Sequence, residues 1–376
     1  MSAPTATKTV PRANPTRSDA PLMRVRDLAV SFDNGTSPRI QAVDGVHLSV
    51  YEAQTLAVVG ESGCGKSVTA MSALQLIPRP PARYDRGEIL FRADLGGGEA
   101  DVNLLGLGPD HIRQVRGNEI AMIFQEPMTS LNPVYTVGDQ ITEAIRLHRK
   151  ATKAEAIDIA VESMETIGIK NARAKIKSYP HEFSGGMRQR VMIAMALACQ
   201  PRLLLADEPT TALDVTIQAQ ILELLDTLKR DTGMAMMLIT HDLGVVAENA
   251  DVVCVMYAGR VVEYATVEDL FDNPLHPYTR GLLASIPKIG DRRDRLVTID
   301  EVTRDEPAFS RLPGAPAGAR AWWPWHDQPA DVPHTTRPGG PSCLVETEPG
   351  HWVGVWETES VRESATIPTL THRRSG

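Results

Sequence analysis

The chain has 376 residues, 42% hydrophobic and 23% charged, a composition typical of globular protein with room for one large domain and a smaller one. Its 39 basic and 47 acidic residues give a net charge of −8, which argues against a nucleic-acid-binding surface because such surfaces carry a basic patch. The longest uninterrupted apolar run, 191–199, is far shorter than the roughly 18 residues of a spanning helix, so we expect any membrane association to be peripheral.

The first 20 residues contain proline, threonine and arginine but no apolar segment like that of a secretory signal, and they are predicted to form a disordered lead-in. Segments 23–32 and 40–50 then alternate apolar and polar positions, which predicts antiparallel strands with one solvated face. Continuous apolar runs further along predict buried parallel strands at 55–60, 120–124, 202–207, 234–240 and 251–257.

Helical stretches separate these strands. Segment 215–231 has apolar residues at helical spacing, and strands that alternate with helices predict an α/β fold with a mostly parallel sheet. Residues 137–199 interrupt the alternation with three helical stretches and no convincing strand between them, which predicts an inserted helical subdomain.

The composition changes after about residue 283. Nine prolines fall between Pro307 and Pro349, and all five tryptophans of the chain also lie in this tail. We predict a separate C-terminal extension, 285–376, with short strands and turns. Its tryptophans either fill a small core or form an exposed docking patch.

A glycine-rich loop follows the run 55–60 and precedes a helical stretch. It fits the phosphate-binding pattern G-x-x-x-x-G-K-[ST] and consists of Gly60-Glu61-Ser62-Gly63-Cys64-Gly65-Lys66-Ser67. The glycines let the backbone direct N–H groups at phosphate oxygens, Lys66 reaches the β- and γ-phosphates, and Ser67 offers a hydroxyl to Mg²⁺. The strand–loop–helix context therefore favours a phosphate-binding loop over an accidental glycine-rich turn.

Two adjacent carboxylates, Asp207 and Glu208, end the apolar run 202–207. Strand ends are often acidic merely because they are solvated. Downstream of a phosphate-binding loop, however, Asp207 is expected to hold Mg²⁺ and Glu208 to act as the general base on the attacking water.

Segment 183–190, Phe-Ser-Gly-Gly-Met-Arg-Gln-Arg, resembles the LSGGQ signature of ATP-binding cassette (ABC) proteins. We expect Ser184 to cap the helix 185–199, with N–H groups left at the positive end of the helix dipole. Over roughly 23–280 the resemblance implies a P-loop NTPase cassette: a mixed sheet with a parallel core, an antiparallel β-subdomain and a helical subdomain. The implied domains are a cassette at 21–284, with its helical subdomain at about 137–199, and the extension.

Four single residues extend the resemblance. It implies that Gln125 senses Mg²⁺ and the water, that His241 contacts the γ-phosphate, and that Asp214 lies at the interface between two cassettes. Each also has a plainer explanation, since polar residues often end strands and Asp214 is placed to cap the next helix. Phe32 lies where the family stacks an aromatic ring on adenine, and a core role is equally compatible with its position.

Segments 126–133 (Glu-Pro-Met-Thr-Ser-Leu-Asn-Pro) and 276–283 (His-Pro-Tyr-Thr-Arg-Gly-Leu-Leu) resemble ATP-binding subunits of bacterial dipeptide and oligopeptide importers. That branch also includes nickel, glutathione and oligosaccharide importers, so the cargo stays open. Many relatives carry several cysteines in the extension, and in some these ligate an iron–sulfur cluster. Here only Cys343 lies in the tail, and one thiolate cannot hold a Cys₄ cluster, so we predict no cluster.

The resemblance also implies partners. The signature residues Ser184, Gly185 and Gly186 act on the ATP of a second cassette subunit, and in this branch that subunit is often a related but different chain, which favours a heterodimer over a homodimer. By the same resemblance we expect two permease subunits and an extracytoplasmic binding protein to complete the importer, with the ATPase at the cytoplasmic face of the inner membrane.

Cassettes also occur in DNA-repair, chromosome-organising and translation ATPases, and in exporters. The repair and chromosome ATPases interrupt the cassette with long coiled coils or zinc modules, for which the short interval between Gln125 and Ser184 leaves no room. The translation factors carry two cassettes in one chain, whereas this chain has one set of motifs. The importer-type segments disfavour the exporter alternative.

Overall fold

The computed structural model describes residues 20–33, 35, 38–125, 131–210, 214–286, 298–333 and 339–372. Nearly all of the predicted lead-in, 1–19, lies outside these residues. The strands are β1 (Met23–Phe32), β2 (Ile40–Val50), β3 (Thr55–Val59), β4 (Ala82–Asp94), β5 (Glu99–Asn103), β6 (Ile120–Ile123), β7 (Leu203–Asp207), β8 (Ala235–Ile239), β9 (Val252–Tyr257), β10 (Arg260–Thr266), β11 (Ser342–Glu348) and β12 (His351–Trp356).

Helices connect most of these strands. They are α1 (Lys66–Ala73), α2 (Pro109–Val115), α3 (Val137–His148), α4 (Lys153–Thr166), α5 (Ala172–Lys175), α6 (Gly185–Leu197), α7 (Val215–Thr232), α8 (Leu243–Asn249), α9 (Val267–Asp272), α10 (Pro277–Ala284), α11 (Ile299–Thr303) and α12 (Glu359–Arg362).

The strands form two sheets. A four-stranded antiparallel sheet has the order β2-β1-β4-β5, which confirms the antiparallel prediction for the first two segments. An eight-stranded sheet has the order β11-β12-β10-β9-β3-β8-β7-β6, and its strands from β9 to β6 run parallel. Because neighbouring parallel strands end at the same edge, the loops after β3, β6, β7 and β8 meet there.

The interval between β6 and β7 contains only helices within its described residues 131–202, as the sequence predicts. The apolar faces of α3, α4 and α6 share one core with side chains of β6, β7 and β8, among them Ile123, Leu204 and Leu238. This shared core fixes the helical subdomain against one face of the large sheet.

The C-terminal strands join the sheet of the cassette instead of forming a sheet of their own. Strand β12 pairs antiparallel with β10, with Tyr264 opposite Trp352, and β11 pairs with β12. Four tryptophans of the tail are buried, which confirms the core prediction for them, whereas Trp325 is 75% exposed. The domain boundary at residue 284 stays a prediction.

The last described residues of the tail hydrogen-bond to β2 and to the turn between β2 and β3. The Ser49 hydroxyl donates to the Pro368 carbonyl at 3.0 Å, and the Gln54 amide donates to the carbonyls of Leu370 and His372 at 2.8 and 2.9 Å. The tail is therefore bonded to the cassette at two places, through β12 and through residues 368–372.

Within the described residues, none of the helices is both long enough and apolar enough to cross a membrane.

Candidate functional site

The loop 60–67 leaves the carboxyl end of β3 and leads directly into α1. Gly60 has a φ of +145° and a Cβ there would collide with the Met256 carbonyl oxygen, while Gly65 has a φ of +100° and a Cβ there would lie 2.5 Å from the Ala42 carbonyl oxygen. Only glycine satisfies both the backbone angle and the close approach at these two positions. The fold therefore requires the glycines that the phosphate-binding pattern contains.

Lys66 is buried, with 7% of its surface exposed, and its ammonium group lies over the loop. The Nζ atom donates to the carbonyl oxygens of Gly60 and Glu61, both at 2.8 Å, and lies 3.7 Å from the Cys64 sulfur. Burial raises the pKa of the Cys64 thiol, which therefore stays neutral beside the lysine. Two backbone carbonyls thus hold the lysine charge against the loop.

Asp207 ends β7 and is 5% exposed. Burial raises its pKa, and a hydrogen bond with the Ser67 side chain opposes that rise. Its Oδ1 atom has no hydrogen-bond partner within the described residues. A buried carboxylate oxygen without a donor, next to a hydroxyl, suits a hard divalent cation such as Mg²⁺.

Within the described residues, no group of three or more acidic, histidine or cysteine side chains is placed to bind a metal. The Asp207 carboxylate beside the Ser67 hydroxyl fits Mg²⁺, which is typically held by one or two carboxylates together with substrate phosphates and water.

Glu208 follows Asp207 with a φ of 46°, a left-handed conformation that non-glycine residues seldom adopt. Its N–H donates to the Ile239 carbonyl of β8 at 2.9 Å, which holds this conformation. The Gln125 amide donates to Glu208 Oε2 at 3.0 Å, and His241 Nδ1 lies 3.0 Å from Glu208 Oε1. Both oxygens of the carboxylate are thereby oriented by residues that follow β6 and β8.

Because an ionised carboxylate only accepts hydrogen bonds, His241 donates from Nδ1. The structure thus brings Gln125, Glu208 and His241 together at the strand ends beside the loop that contains Lys66.

The signature residues lie at the start of α6. No hydrogen bond within the described residues joins Ser184, Gly185 or Gly186 to the loop 60–67. Ser184 occupies the N-cap position of α6, but the expectation that its side chain caps the helix is wrong, because the hydroxyl makes no capping hydrogen bond. The helix also ends at Leu197, two residues earlier than predicted. The Ser184 hydroxyl therefore accepts from none of the first-turn N–H groups of α6, although its backbone carbonyl accepts from the Arg188 N–H at 2.9 Å.

Asp214 and Phe32 occupy structural positions. The Asp214 carboxylate accepts from the Ile217 N–H at 3.0 Å and caps α7, and the preceding residues 211–213 lie outside the described ones. Phe32 ends β1 opposite Ile40 and Ala82, half-buried against the core. Contact of Asp214 with a second cassette and contact of Phe32 with adenine both stay predictions.

Comparison with known proteins identifies the family. The family model described as ABC transporter matches residues 43–211, and the model for the C-terminal region of oligopeptide/dipeptide transporters matches residues 262–315. A probable peptide ABC transporter ATP-binding protein of Sinorhizobium fredii is 48% identical over 341 residues, which cover 90% of this chain and 96% of that protein. The chain belongs to the ABC transporter family.

Within this family, the chain belongs to the oligopeptide/dipeptide branch of ATP-binding subunits. The dipeptide transport ATP-binding protein DppD of Bacillus subtilis is 49% identical over 301 residues, 80% of this chain and 86% of that protein. The oligopeptide transport ATP-binding protein OppD of the same organism is 53% identical over 268 residues, 71% and 72% of the two chains.

Solved ABC cassettes have the same fold. The dimeric structure of MJ0796, a bacterial ABC transporter cassette, is 26% identical with a TM-score of 0.56 and covers 65% of this chain and 98% of its own. A post-hydrolysis dimer of the same ATP-binding cassette, bound to ADP and Pi, is 25% identical with a TM-score of 0.56 and the same coverage. The chain is accordingly an ABC ATPase with an ATP-binding cassette.

Tyr278 bonds to the phosphate-binding loop of this ABC cassette, a contact that the sequence did not predict. The Glu61 N–H donates to the Tyr278 hydroxyl at 3.2 Å. Tyr278 lies in segment 276–283, which the sequence analysis used only to identify the branch. No periodicity or spacing connects two residues 217 positions apart, so only the fold reveals the contact.

Proposed function

We propose that this chain is the ATP-hydrolysing subunit that powers import of peptides through a separate membrane permease. One observation carries the ATPase assignment: the Gln125 amide and His241 Nδ1 each lie 3.0 Å from a different carboxylate oxygen of Glu208. The peptide cargo is supported by the match to the oligopeptide/dipeptide C-terminal region and by relatives named for dipeptide and oligopeptide transport.

In this proposal the loop 60–67 and Lys66 bind the phosphates of ATP. Ser67, Asp207 and Gln125 would hold Mg²⁺, partly through water, and the ion would neutralise phosphate charge when bound. Glu208 accepts a proton from the attacking water, while Gln125 and His241 hold its carboxylate in one orientation. The left-handed backbone of Glu208, tied to Ile239, keeps that carboxylate at the strand end.

The signature residues act in trans. Because their segment resembles the ABC signature, we assign Ser184, Gly185 and Gly186 to the ATP held by a second cassette; within the described residues they make no hydrogen bond to the loop 60–67. Asp214 lies at the interface between the two. The dimeric solved cassette supports this arrangement, and we favour a heterodimer with a related ATPase subunit.

Two transmembrane permease subunits and an extracytoplasmic binding protein complete the proposed importer at the cytoplasmic face of the inner membrane. The helical subdomain, α3 to α6, and the segment after Gln125 form the proposed docking surface for the permease. Residues 126–130 of that segment lie outside the described ones. Exposed apolar side chains of Phe124, Val134 and Tyr135 flank them and support this placement.

Two variants test the ATPase assignment. Glu208→Gln removes the base but leaves a side chain of the same length beside Gln125 and His241. We therefore expect the rate of hydrolysis to fall about 10²- to 10⁴-fold while ATP affinity is retained. Lys66→Ala removes the phosphate-binding ammonium group and is expected to weaken ATP binding itself. Unchanged turnover in the first variant, or unchanged affinity in the second, would contradict the assigned role.

The cargo is tested with the complex purified from membranes together with its companion subunits. Reconstituted in vesicles with its binding protein, the complex should hydrolyse ATP faster in the presence of di- or oligopeptides than with oligosaccharide, glutathione or nickel. Stimulation by one of the latter alone would keep the ATPase assignment and replace the peptide. An iron-dependent visible absorption band in anaerobically purified protein would overturn the prediction that Cys343 supports no iron–sulfur cluster.

A further inference from the structure

An aromatic cluster joins the C-terminal tail to the phosphate-binding loop. The Tyr257 ring stacks on Trp323 of the tail at 4.3 Å between centroids with an interplanar angle of 21°. Tyr278 packs against both rings, with centroids 4.7 Å from Tyr257 and 5.7 Å from Trp323. Since Tyr278 and Trp323 are almost entirely buried, the tail leaves the Tyr278 ring little freedom to move.

The backbone of Tyr278 is fixed as well. Its N–H donates to His276 Nδ1 at 3.1 Å, and His276 therefore donates from Nε2 to the Trp322 carbonyl at 3.0 Å. The His276 N–H in turn donates to the buried carboxylate of Glu263 at 3.0 Å. The start of α10 is thus bonded on one side to β10 and on the other to the tail.

The fixed hydroxyl of Tyr278 reaches the loop at Glu61. The Glu61 N–H donates to this hydroxyl at 3.2 Å, and the Glu61 carbonyl accepts from Lys66 Nζ at 2.8 Å. Burial raises the pKa of Tyr278, so its hydroxyl stays neutral and can accept this hydrogen bond. Glu61 is therefore held between Tyr278 on one side and the ammonium group of Lys66 on the other.

We propose that Tyr278 is a positioning residue for ATP binding. Its hydroxyl accepts from the N–H of the Gly60–Glu61 peptide, and the carbonyl of that same peptide, Gly60 C=O, accepts from Lys66 Nζ at 2.8 Å, so Tyr278 holds the peptide that orients Lys66. The residue acts through Lys66 and does not itself touch the phosphates. This inference rests on the proposed role of the loop 60–67 and adds that the segment 276–283 and the tail help to shape the nucleotide site.

The test compares Tyr278→Phe with Tyr264→Phe in the full-length chain. Each change deletes only a buried hydroxyl that bonds to the backbone. The Tyr264 hydroxyl donates to the Ser49 carbonyl at 3.0 Å. Within the described residues, Tyr264 makes no hydrogen bond to the loop 60–67. We expect the dissociation constant for MgATP, measured by calorimetry, to rise roughly three- to tenfold in Tyr278→Phe and to stay within about twofold in Tyr264→Phe.

A purely structural role would give a different pattern. Both variants would then lower the unfolding midpoint of the nucleotide-free chain to a similar extent and bind MgATP like the wild type, which would overturn the inference. Hydrogen–deuterium exchange of the wild type gives an independent check, because the Glu61 amide should exchange slowly without nucleotide. Fast exchange there would also overturn it.

Lys66→Ala separates this inference from the proposed function. If Lys66→Ala keeps full affinity for MgATP, the assignment of the loop itself fails. If Lys66→Ala loses affinity and Tyr278→Phe does not, the loop assignment stands and the positioning role of Tyr278 fails.

Discussion

Acidification should destabilise this protein through His276, a buried histidine whose pKa is lowered. His276 is fully buried at the start of α10, and burial lowers its pKa to about 4 from the usual 6.5, against the opposing effects of the Glu263 carboxylate and the bond to the Trp322 carbonyl. In the folded chain the imidazole therefore stays neutral at pH 5, whereas in the unfolded chain it takes up a proton below pH 6.5.

The size of the effect follows from this difference in proton binding. Between pH 6.5 and about pH 4 the unfolded state binds more protons at His276 than the folded state, so the free energy of unfolding falls as the pH falls through this window. Each pKa unit corresponds to about 1.4 kcal/mol. Integrated from pH 7 to pH 5, the lowered pKa of His276 removes about 2 kcal/mol of stability.

Urea unfolding of the full-length chain at pH 7 and pH 5 measures this loss. We expect His276→Gln, which can still donate to the Trp322 carbonyl, to be less stable at pH 7 but to lose about 2 kcal/mol less than the wild type on acidification. His111→Gln changes an exposed histidine on α2 and should keep the acid sensitivity of the wild type. Equal losses in the wild type and His276→Gln would refute the argument.

Two further changes test the site and the tail. Asp207→Asn should raise the Mg²⁺ concentration for half-maximal ATP hydrolysis roughly 10- to 100-fold, measured by magnesium titration, and an unchanged requirement would remove Asp207 from the metal site. Glu263 is fully buried and accepts from the Leu275 N–H at 2.7 Å and from His351 Nε2 at 2.7 Å. Glu263→Gln should therefore lower the free energy of urea unfolding by about 3 kcal/mol. The control Glu346→Gln, at an exposed position, should change it by less than about 0.5 kcal/mol. Equal effects of the two variants would show that burial of the carboxylate does not matter.

The sequence predicts the parallel core well because its strands are buried on both faces and therefore read as continuous apolar runs. The predicted runs exceed the observed strands by only a residue or two, for example at Gly60 and Thr240. The convergence of Gln125, Glu208 and His241 can also be predicted from the sequence, since polar residues after neighbouring parallel strands meet at one sheet edge.

The attachment of the tail cannot be predicted in the same way. Strand β12 pairs with β10 across 88 positions of sequence, from Tyr264 to Trp352, and no local periodicity specifies which strand a late hairpin joins. The contact between Tyr278 and Glu61 is likewise decided by packing of distant aromatic rings. The absent Ser184 cap shows a third limit, because residue type favours a cap position without fixing where the side chain hydrogen bond goes.

The pairing of β10 with β12 also bears on how the protein is made. A ribosome that adds about 5–20 residues per second needs roughly 5–20 s to synthesise the chain from β10 to β12. During this interval the backbone N–H and C=O groups at the edge of β10 are unpaired and can bond to a strand of another chain. The finished chain replaces this edge with β11, which presents the exposed charges of Glu346 and Glu348. Nascent chains whose synthesis stalls before residue 351 should therefore self-associate more than full-length chains and should need a chaperone.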